Sequence, residues 1–443
     1  MRQTLIPSLL GLGSLALAAP APSSLVTIST AVDASSAAAW WDPLDEFGGY
    51  DYLAYLRNPP GGSGGSLAQN NVMVARRDVS TGAIVRDCVK TGAGECAVEA
   101  DDAGHSVPSV AVDGAGYVHV FTSMHNEHWK YFRSSSPQDP TSLADRSGEM
   151  PDQTVNVTYP VVKRDAAGDL WLMVRGWAAG DTSAKGGYLY RYTTASGTWA
   201  RVSLFAYSRG YSVYPDDIQF SSDGDVHLQW EWSKYPASGV RHEGSYARYS
   251  PSTGKFRAAS GQEVPSLPMT QATPDLVFQP LTGGESYAHD IGASPAPALQ
   301  SAKMALYERP AGSVHVQVAY RFQAATGGPW QVRRARADFG SGAGPWTREV
   351  VYAGGDTSAG LGITHDGATV RIYYCRVGGS AQVLERTGSS GWTDTALGPV
   401  AGKQVQRLQA IMRADGTDVL YLGAPKNVDA STGSLYYLTV GGR

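Results

Sequence analysis

The middle of the chain holds two histidines, a tyrosine and an arginine whose types suit acid–base chemistry on an anionic substrate. His105 and His125 lie 20 residues apart, and Tyr159 and Arg175 lie 16 apart. A neutral imidazole or an ionised phenol can remove a proton, and a second such group can protonate a leaving oxygen. A guanidinium binds a carboxylate through paired hydrogen bonds. We therefore predict that His105, His125, Tyr159 and Arg175 form a catalytic site.

The reaction that fits these groups is a β-elimination next to a carboxylate. The proton on C5 of a uronic acid is weakly acidic, and an arginine paired with the C6 carboxylate disperses the charge that forms as the proton leaves. This reaction requires neither water nor a metal, so we predict no cofactor for the chemistry. Glycoside hydrolysis would instead need two carboxylates about 5–10 Å apart. The equivalent positions offer only Glu231, with Asp216 and Asp217 beside Tyr214.

A repeated unit explains how residues far apart in the sequence can meet. Each copy has an apolar strand, a turn with Asp and Gly, a second alternating strand and a third strand rich in Tyr and Arg, as in SVAVDGAGYVHVFTS from residue 109 and IQFSSDGDVHLQWEW from residue 218. With a degenerate first copy near residue 50, there are seven copies, and an insertion lies around 258–300. The turn glycines are Gly116, Gly168, Gly224, Gly312, Gly367 and Gly416.

This pattern predicts an all-β, single-domain, seven-bladed β-propeller over residues 20–443. Alternation with a period of two is typical of half-buried strands, and a repeat of about 40–50 residues with four short strands is typical of a propeller blade. Seven blades closed into a ring leave only short, protected sheet edges. Several separate β-sandwiches are the alternative, and the uniform spacing of the copies argues against them.

Equivalent positions in consecutive copies direct the candidate residues to one mouth of the ring. We expect His105, Tyr159 and Tyr214 to open first strands. We expect His125, Arg175 and Glu231 to end second strands, where equal parity places them on one face. The predicted substrate-binding residues are Tyr214, Tyr211, Glu231, Arg241, His242 and Arg321.

Three other histidines are predicted to pack rather than react. His119, His227 and His315 occupy the same second-strand position in their copies, and Trp171 occupies it in a fourth. These side chains share an apolar body with a polar tip. Such equivalence between copies indicates a structural role.

Composition excludes several classes of protein. The chain has 443 residues, a formal net charge of −4, 24 Tyr and 11 Trp, with charged residues at 17%. Low charge with many aromatic residues excludes a disordered chain. A mildly acidic balance predicts no binding to nucleic acid or to an anionic membrane surface.

The N-terminus and the cysteines indicate a secreted protein. Arg2 precedes an apolar run over residues 5–17, which is typical of a signal peptide, here residues 1–19. The run is too short to span a membrane. An oxidising compartment would allow Cys88 and Cys96 to form a disulfide. Cys375 lies in an apolar run and is predicted to be a buried free thiol.

The same residues resemble a known family. The segment GHSVPSVAVDGAGYVHVFTSMHNEHWKYFRS from residue 104, with the His105–His125 and Tyr159–Arg175 spacings, resembles the BNR-4-type seven-bladed propeller polysaccharide lyases. These include ulvan lyases and fungal L-rhamnose-α-1,4-D-glucuronate lyases that act on gum arabic side chains. The resemblance implies that both histidines do acid–base work, that Tyr159 assists proton transfer or binds the sugar, and that Arg175 neutralises the carboxylate.

The resemblance leaves some assignments open. We favour His105 as the base, but the roles of His105, His125 and Tyr159 are not separated. Tyr214 matches a family tyrosine, although Tyr211 and Tyr207 are near. Family members can hold calcium or zinc, so a structural calcium is a further expectation, although the chain has no dense ligand motif.

The sequence thus predicts a secreted, monomeric polysaccharide lyase that acts on a uronic-acid-containing polysaccharide. The predicted substrate is the rhamnose-α-1,4-glucuronate linkage of gum arabic or arabinogalactan side chains. Ulvan is the alternative, but its sulfates would favour a basic run that the chain lacks. Degenerate Asp-box-like turns keep a sialidase-like hydrolase as a rival, and mouth aromatics keep a non-catalytic carbohydrate-binding propeller as another.

Overall fold

The computed structural model describes most of the chain between residues 22 and 441. The predicted signal peptide (residues 1–19), His105, Arg241, His242 and Gly312 lie outside the described residues. The described residues are 22–32, 41–57, 70–99, 107–122, 124–178, 181–236, 243–271, 273, 277–278, 298–308, 313–340, 342, 346–378, 380–425 and 433–441.

The described strands form five sheets, two of nine strands and three of four, and within these sheets we distinguish units of four strands in which neighbours run antiparallel. The first unit is β2 (Leu44–Phe47), β3 (Tyr50–Arg57), β4 (Asn70–Asp78) and β5 (Ile84–Cys88). The second is β7 (Ser109–Val112), β8 (Val118–Phe121), β9 (Tyr131–Ser134) and β10 (Leu143–Asp145). The third is β11 (Val157–Arg164), β12 (Leu170–Ala178), β13 (Asp181–Thr193) and β14 (Thr198–Ala206). The fourth is β15 (Tyr211–Phe220), β16 (Val226–Lys234), β17 (Glu243–Ser250) and β18 (Lys255–Arg257).

Three further units follow, and the last combines strands from both ends of the chain. The fifth is β20 (Ala298–Glu308), β21 (Val314–Gln323), β22 (Gln331–Asp338) and β23 (Thr347–Tyr352). The sixth is β24 (Thr357–His365), β25 (Thr369–Arg376), β26 (Ser380–Thr387) and β27 (Thr393–Ala396). The seventh is β28 (Arg407–Met412), β29 (Asp418–Pro425), β30 (Gly433–Val440) and β1 (Val26–Val32). The short strands β6 (Val98–Glu99) and β19 (Val277–Phe278) pair with β4 and β17.

The first strand of each unit contacts the first strands of its neighbours. β7 lies between β2 and β11, and the contacts continue through β15, β20, β24 and β28, which lies against β2. Apolar side chains fill the space between neighbouring units, such as Val72 with Val110 and Phe121 with Leu172. Burial of this apolar surface is the main force that holds the units together. The fold is therefore all-β, as predicted, and is built from antiparallel sheets.

The strands are buried more completely than the alternation predicted. Every residue of β7 and β8 is buried. We expected half-buried strands, with one face in solvent. Each unit instead packs against a neighbour on both sides, so both faces of its inner strands lie in the interior and polar side chains there need internal partners.

The repeated turn supplies those partners. Nε2 of His119 lies 3.1 Å from a carboxylate oxygen of Asp113 in the turn, and Nδ1 lies 2.8 Å from the hydroxyl of Tyr131. The packing role predicted for this position is confirmed. Equivalent contacts are Trp171 with Asp165 (2.8 Å), and His227 with Ser221 (3.0 Å) and Tyr246 (2.5 Å). His315 instead pairs with Asp338 at the end of β22.

The turn glycines allow adjacent units to approach closely. Gly116 and Gly168 have φ of +90° and +91°, which residues with a side chain rarely adopt. The N–H of Gly114 donates to the carbonyl of Gly168 in the next unit at 2.8 Å. A Cβ on Gly168 would lie 2.6 Å from the Cα of Gly114. Glycine is therefore required for backbone contact between these two turns.

The cysteine predictions are confirmed. Cys88 and Cys96 form a disulfide, with Cα atoms 5.4 Å apart. Cys375 is a buried free cysteine, and burial raises the pKa of its thiol to about 12. Within the described residues, no helix is long and apolar enough to cross a membrane.

Candidate functional site

Tyr159 lies in a bulge of the first strand of the third unit. We predicted it at the start of that strand, but β11 begins two residues earlier. The pairing with β12 runs from Thr158 opposite Arg175 to a shifted register beginning at Val161, so Tyr159 and Pro160 form the bulge. Tyr159 has φ of +57°. A non-glycine residue in this region costs about 1–3 kcal/mol, and such residues concentrate at functional sites.

The guanidinium of Arg175 stacks on two tyrosine rings. Its Cζ lies 4.4 Å from the ring centre of Tyr159 and 4.8 Å from that of Tyr214. The two ring centres are 5.3 Å apart, and Trp41 packs edge-on against Tyr159 at 5.2 Å. The structure thus brings together Tyr159, Arg175 and Tyr214, as the repeat positions predicted. Attraction between a cation and the faces of aromatic rings orients the guanidinium here.

Arg175 is a buried cation without an anionic partner in the described part of the chain. Its side chain is only 3% exposed, and its Nε has no hydrogen-bond partner. No carboxylate forms an ion pair with it among the described residues. A buried charge is costly unless an opposite charge or hydrogen bonds compensate it. The arrangement therefore favours binding of an anionic ligand at this guanidinium.

Lys185 adds a second cation, which the sequence analysis missed. Its Nζ donates to Oδ1 of Asn126 at 2.6 Å and lies 4.8 Å from the ring centre of Trp177. Burial, together with the charge of Arg175, lowers the pKa of Lys185 to about 8. Lys185 is the fifth residue of β13, the third strand of its unit, whereas the four predicted catalytic residues were expected on first and second strands. The pairing of Lys185 opposite Trp177, two residues after Arg175, is the signal that could have identified it.

His125 does not lie on a strand. The second strand of its unit ends at Phe121, so the parity argument does not apply to this histidine. The next residue, Asn126, donates its N–H to Val157 O at 3.1 Å and to the Thr158 hydroxyl at 2.8 Å. These bonds hold the half-buried His125 segment against the start of β11, next to the bulge.

The predicted substrate-binding residues of the fourth unit have different surroundings. Tyr214 is the fourth residue of β15 rather than the first, and it lies opposite Glu231. Both are buried. Tyr211 opens β15 and is half-buried, with its ring 6.4 Å from that of Trp232. Of these fourth-unit residues, Tyr214 is the one whose ring lies under the guanidinium of Arg175 in the described structure.

Arg321 is held by its own part of the fold. It donates to Oε1 of Gln300 at 3.0 Å and to the hydroxyl of Thr357 at 3.3 Å, and it lies over the ring of Trp330. Burial is the main cause that lowers its pKa to about 9, and Glu231 acts in the opposite direction. Arg321 is therefore close enough to Glu231 to interact with its charge, but its hydrogen bonds are already made.

Three predicted site residues and the predicted calcium have no described position. His105, Arg241 and His242 lie outside the described residues. Among the residues that are described, no three His, Cys, Asp or Glu side chains cluster as a metal site would require. A structural calcium remains a prediction.

Solved structures of other proteins share the fold of this chain. The solved structure of the polysaccharide lyase Uly1 is 14% identical, with a TM-score of 0.66 over 95% of this chain and 99% of the other. The structure of the PL25 ulvan lyase bound to -[GlcA(1-4)Rha3S]- is 15% identical, with a TM-score of 0.61 over 93% and 95% of the two chains. At these identities the likeness shows the fold alone. No curated protein matches the chain.

The family comparison covers more than half of the sequence. The family described as BNR repeat-containing, BNR_4, matches residues 50–337. This range includes Tyr159, Arg175 and Tyr214. The chain belongs to the BNR repeat-containing family.

Proposed function

We propose that the protein is a secreted polysaccharide lyase that cleaves a rhamnose-α-1,4-glucuronate linkage by β-elimination. The observation that supports this most is the buried guanidinium of Arg175, which two tyrosine rings orient and which no carboxylate of the described chain neutralises. A uronate carboxylate is an anion of suitable shape for a guanidinium.

In the proposed reaction, Arg175 binds the C6 carboxylate of the glucuronate. A base removes the C5 proton, the C4–O4 bond breaks, and a C4–C5 double bond forms. A second group donates a proton to the leaving O4, which departs with the rhamnose. His105 is the favoured base, with His125 and Tyr159 as the candidate acid. The proposal draws support from the bulge at Tyr159 and from the bond of Asn126, next to His125, to Val157 at the start of β11.

The direction of approach follows from burial. Tyr159 and Arg175 are 6% and 3% exposed, whereas His125 and Lys185 are half-buried. A sugar therefore reaches the guanidinium from the side of His125 and Lys185. The low exposure also excludes water, which strengthens the interaction between the guanidinium and a bound carboxylate.

The comparisons support the substrate class. Two solved structures that share the fold are polysaccharide lyases, and one of them is an ulvan lyase bound to -[GlcA(1-4)Rha3S]-. The net charge of −4 and the absence of a basic run favour an unsulfated linkage, as in gum arabic or arabinogalactan side chains. Ulvan is the second candidate.

The architecture and location belong to the same proposal. A ring of seven blades accounts for the contacts between successive first strands and for the pairing of β1 with β30. The disulfide and the N-terminal signal pattern support secretion. The proposed enzyme is a single domain and a monomer.

The test is incubation of the purified protein with gum arabic and with ulvan, with absorbance followed near 235 nm, where an unsaturated uronate absorbs. A rise with gum arabic and release of rhamnose is the expected result. A rise with ulvan alone would favour the second candidate. Sugar release without the rise would indicate a hydrolase, and binding without release would indicate a carbohydrate-binding propeller. Either of the last two results would overturn the proposal.

A further inference from the structure

Arg175 and Lys185 lie on the same face of the third unit. Arg175 on β12 pairs with Gly187 on β13, and Trp177 pairs with Lys185. Residues two apart on a strand, and residues directly opposite one another, share a face of the sheet. The two cationic side chains are therefore diagonal neighbours on one face of the sheet.

Neutral groups hold the Lys185 ammonium. Asn126 accepts a hydrogen bond from Nζ at 2.6 Å, and the rings of Trp177 and Tyr235 lie 4.8 and 5.9 Å away. Asn126 is itself fixed, because Thr158 donates to its Oδ1 at 3.3 Å. The ammonium is thus positioned by an amide oxygen and by aromatic faces.

The two cations share one environment without an anion. Burial and the charge of Arg175 lower the pKa of Lys185 to about 8. No carboxylate contributes to this shift, and no carboxylate forms an ion pair with Lys185 in the described structure. Two partly buried like charges side by side destabilise the free protein. A ligand that brings negative charge between them relieves this repulsion.

The chemistry of the proposed reaction supplies that charge. A bound uronate carboxylate carries one negative charge. When the C5 proton leaves, the carboxylate becomes an enediolate with a second negative charge on its oxygens. One guanidinium balances the ground state, and a second cation is needed only as the transition state forms.

We propose that Lys185 is a further catalytic residue, which contacts the uronate carboxylate beside Arg175 and neutralises the second charge of the enediolate. This role rests on the proposed function. It assigns Arg175 to binding and catalysis, and Lys185 mainly to catalysis.

The test compares three variants by steady-state kinetics on gum arabic. Lys185→Met removes the charge at similar length, and Lys185→Arg retains it. Lys255→Met is the control, because Lys255 is exposed and its ion pair in the described structure is with Glu263. We expect Lys185→Met to lower kcat by roughly 100-fold or more with KM changed by less than about threefold. Lys185→Arg should recover much of the loss. A kcat within about threefold of wild type in Lys185→Met would overturn the role.

The pH profile gives a readout that a purely structural lysine would not change. Among the described residues, the groups that face Lys185 are Arg175 from β12, Asn126 before β9, Trp177, and Tyr235 after β16, and the arginine is the charged one of these. The wild-type kcat/KM should fall as the pH rises through about 8, because the ammonium loses its proton. Lys185→Arg should remain active above that pH, since a guanidinium stays protonated. The same decline in both proteins would overturn the proposal.

Calorimetric titration with D-glucuronate separates this proposal from the proposed function. Glucuronate is not cleaved, so its binding is independent of turnover. Wild-type binding without any unsaturated product from polysaccharide would overturn the lyase and the role of Lys185 with it. If wild type forms the unsaturated product and Lys185→Met forms it at the same rate, only the catalytic role of Lys185 would be overturned. If Lys185→Met does not fold by circular dichroism, Lys185→Gln takes its place with the same expected results.

Discussion

Arg175 of the third unit lies over the ring of Tyr214 of the fourth, with its Cζ 4.8 Å from the ring centre. The two residues are 39 positions apart in sequence, and they meet because β11, β12 and β15 pack side by side. This contact places a fixed cation at the junction of two units. Arg175 also lies over the ring of Tyr159, and among the described residues no other cation lies over either tyrosine ring.

Arg175→Ala is expected to abolish elimination while the fold is retained. Removal of the guanidinium eliminates the charge that binds the carboxylate, and loss of one such group costs about 100- to 1000-fold in rate. The rate of absorbance increase near 235 nm and the circular dichroism spectrum are the measurements. Arg201→Ala is the matched control, since Arg201 is half-exposed on β14 of the same unit. Near-wild-type rates in Arg175→Ala would refute its assignment.

His105→Ala and His125→Ala should each lower the rate by roughly 100-fold or more, because each removes a proton-transfer group. The two variants should differ in the pH dependence of kcat/KM, since loss of the base removes its acidic limb. His128→Ala is the control, because His128 is exposed three residues after His125. If both variants lose less than about fivefold, the proton transfers depend on other groups, with Tyr159 the first to examine.

The sequence predicted the repeated elements well because each depends on the backbone conformation and hydrogen bonds of residues that are close together in the chain. Turn glycines such as Gly116 need a positive φ, and the polar tip of His119 needs a turn carboxylate. Both requirements appear as residue types at fixed spacing. The Arg175–Tyr214 contact followed from equivalent positions in consecutive copies.

The remaining features depend on backbone detail that spacing does not encode. The bulge at Tyr159 shifts the register of β11 by local chain geometry, so a count from the turn glycine cannot locate it. His125 lies beyond the end of its strand, where alternation no longer applies. Lys185 belongs to a third strand whose start was not predicted. The positions of Tyr159, His125 and Lys185 depend on strand pairing and strand ends, which residue types do not encode.

Removal of the disulfide should lower stability without changing activity. Cys88 and Cys96 lie eight positions apart and close a short loop, and Lys90 within it donates its N–H to the carbonyl of Leu143 in the second unit. A loop this short stabilises by about 2–3 kcal/mol through the unfolded state. The double variant Cys88→Ser with Cys96→Ser should show a lower urea midpoint than wild type and the same kcat. An unchanged midpoint would show that the crosslink restricts the unfolded chain little.

His227 should make the protein less stable in acid. Burial, followed by the charge of Arg248, lowers the pKa of His227 to about 3. The unfolded histidine titrates near 6.5, so unfolding takes up a proton below that pH. The stability contributed by the neutral form is therefore complete above pH 6.5 and is lost as the pH falls from 6.5 towards 3.

The measurement is urea unfolding of wild type and His227→Gln at pH 7.5 and pH 5. Wild type should lose about 2 kcal/mol from this group between the two values, at about 1.4 kcal/mol per pH unit below 6.5. His227→Gln should be less stable at pH 7.5, because contacts with Ser221 and Tyr246 change, but it should lose less on acidification. His119, whose pKa burial also lowers, contributes equally to both proteins. Equal losses in both proteins would mean that His227 binds a proton in the folded state.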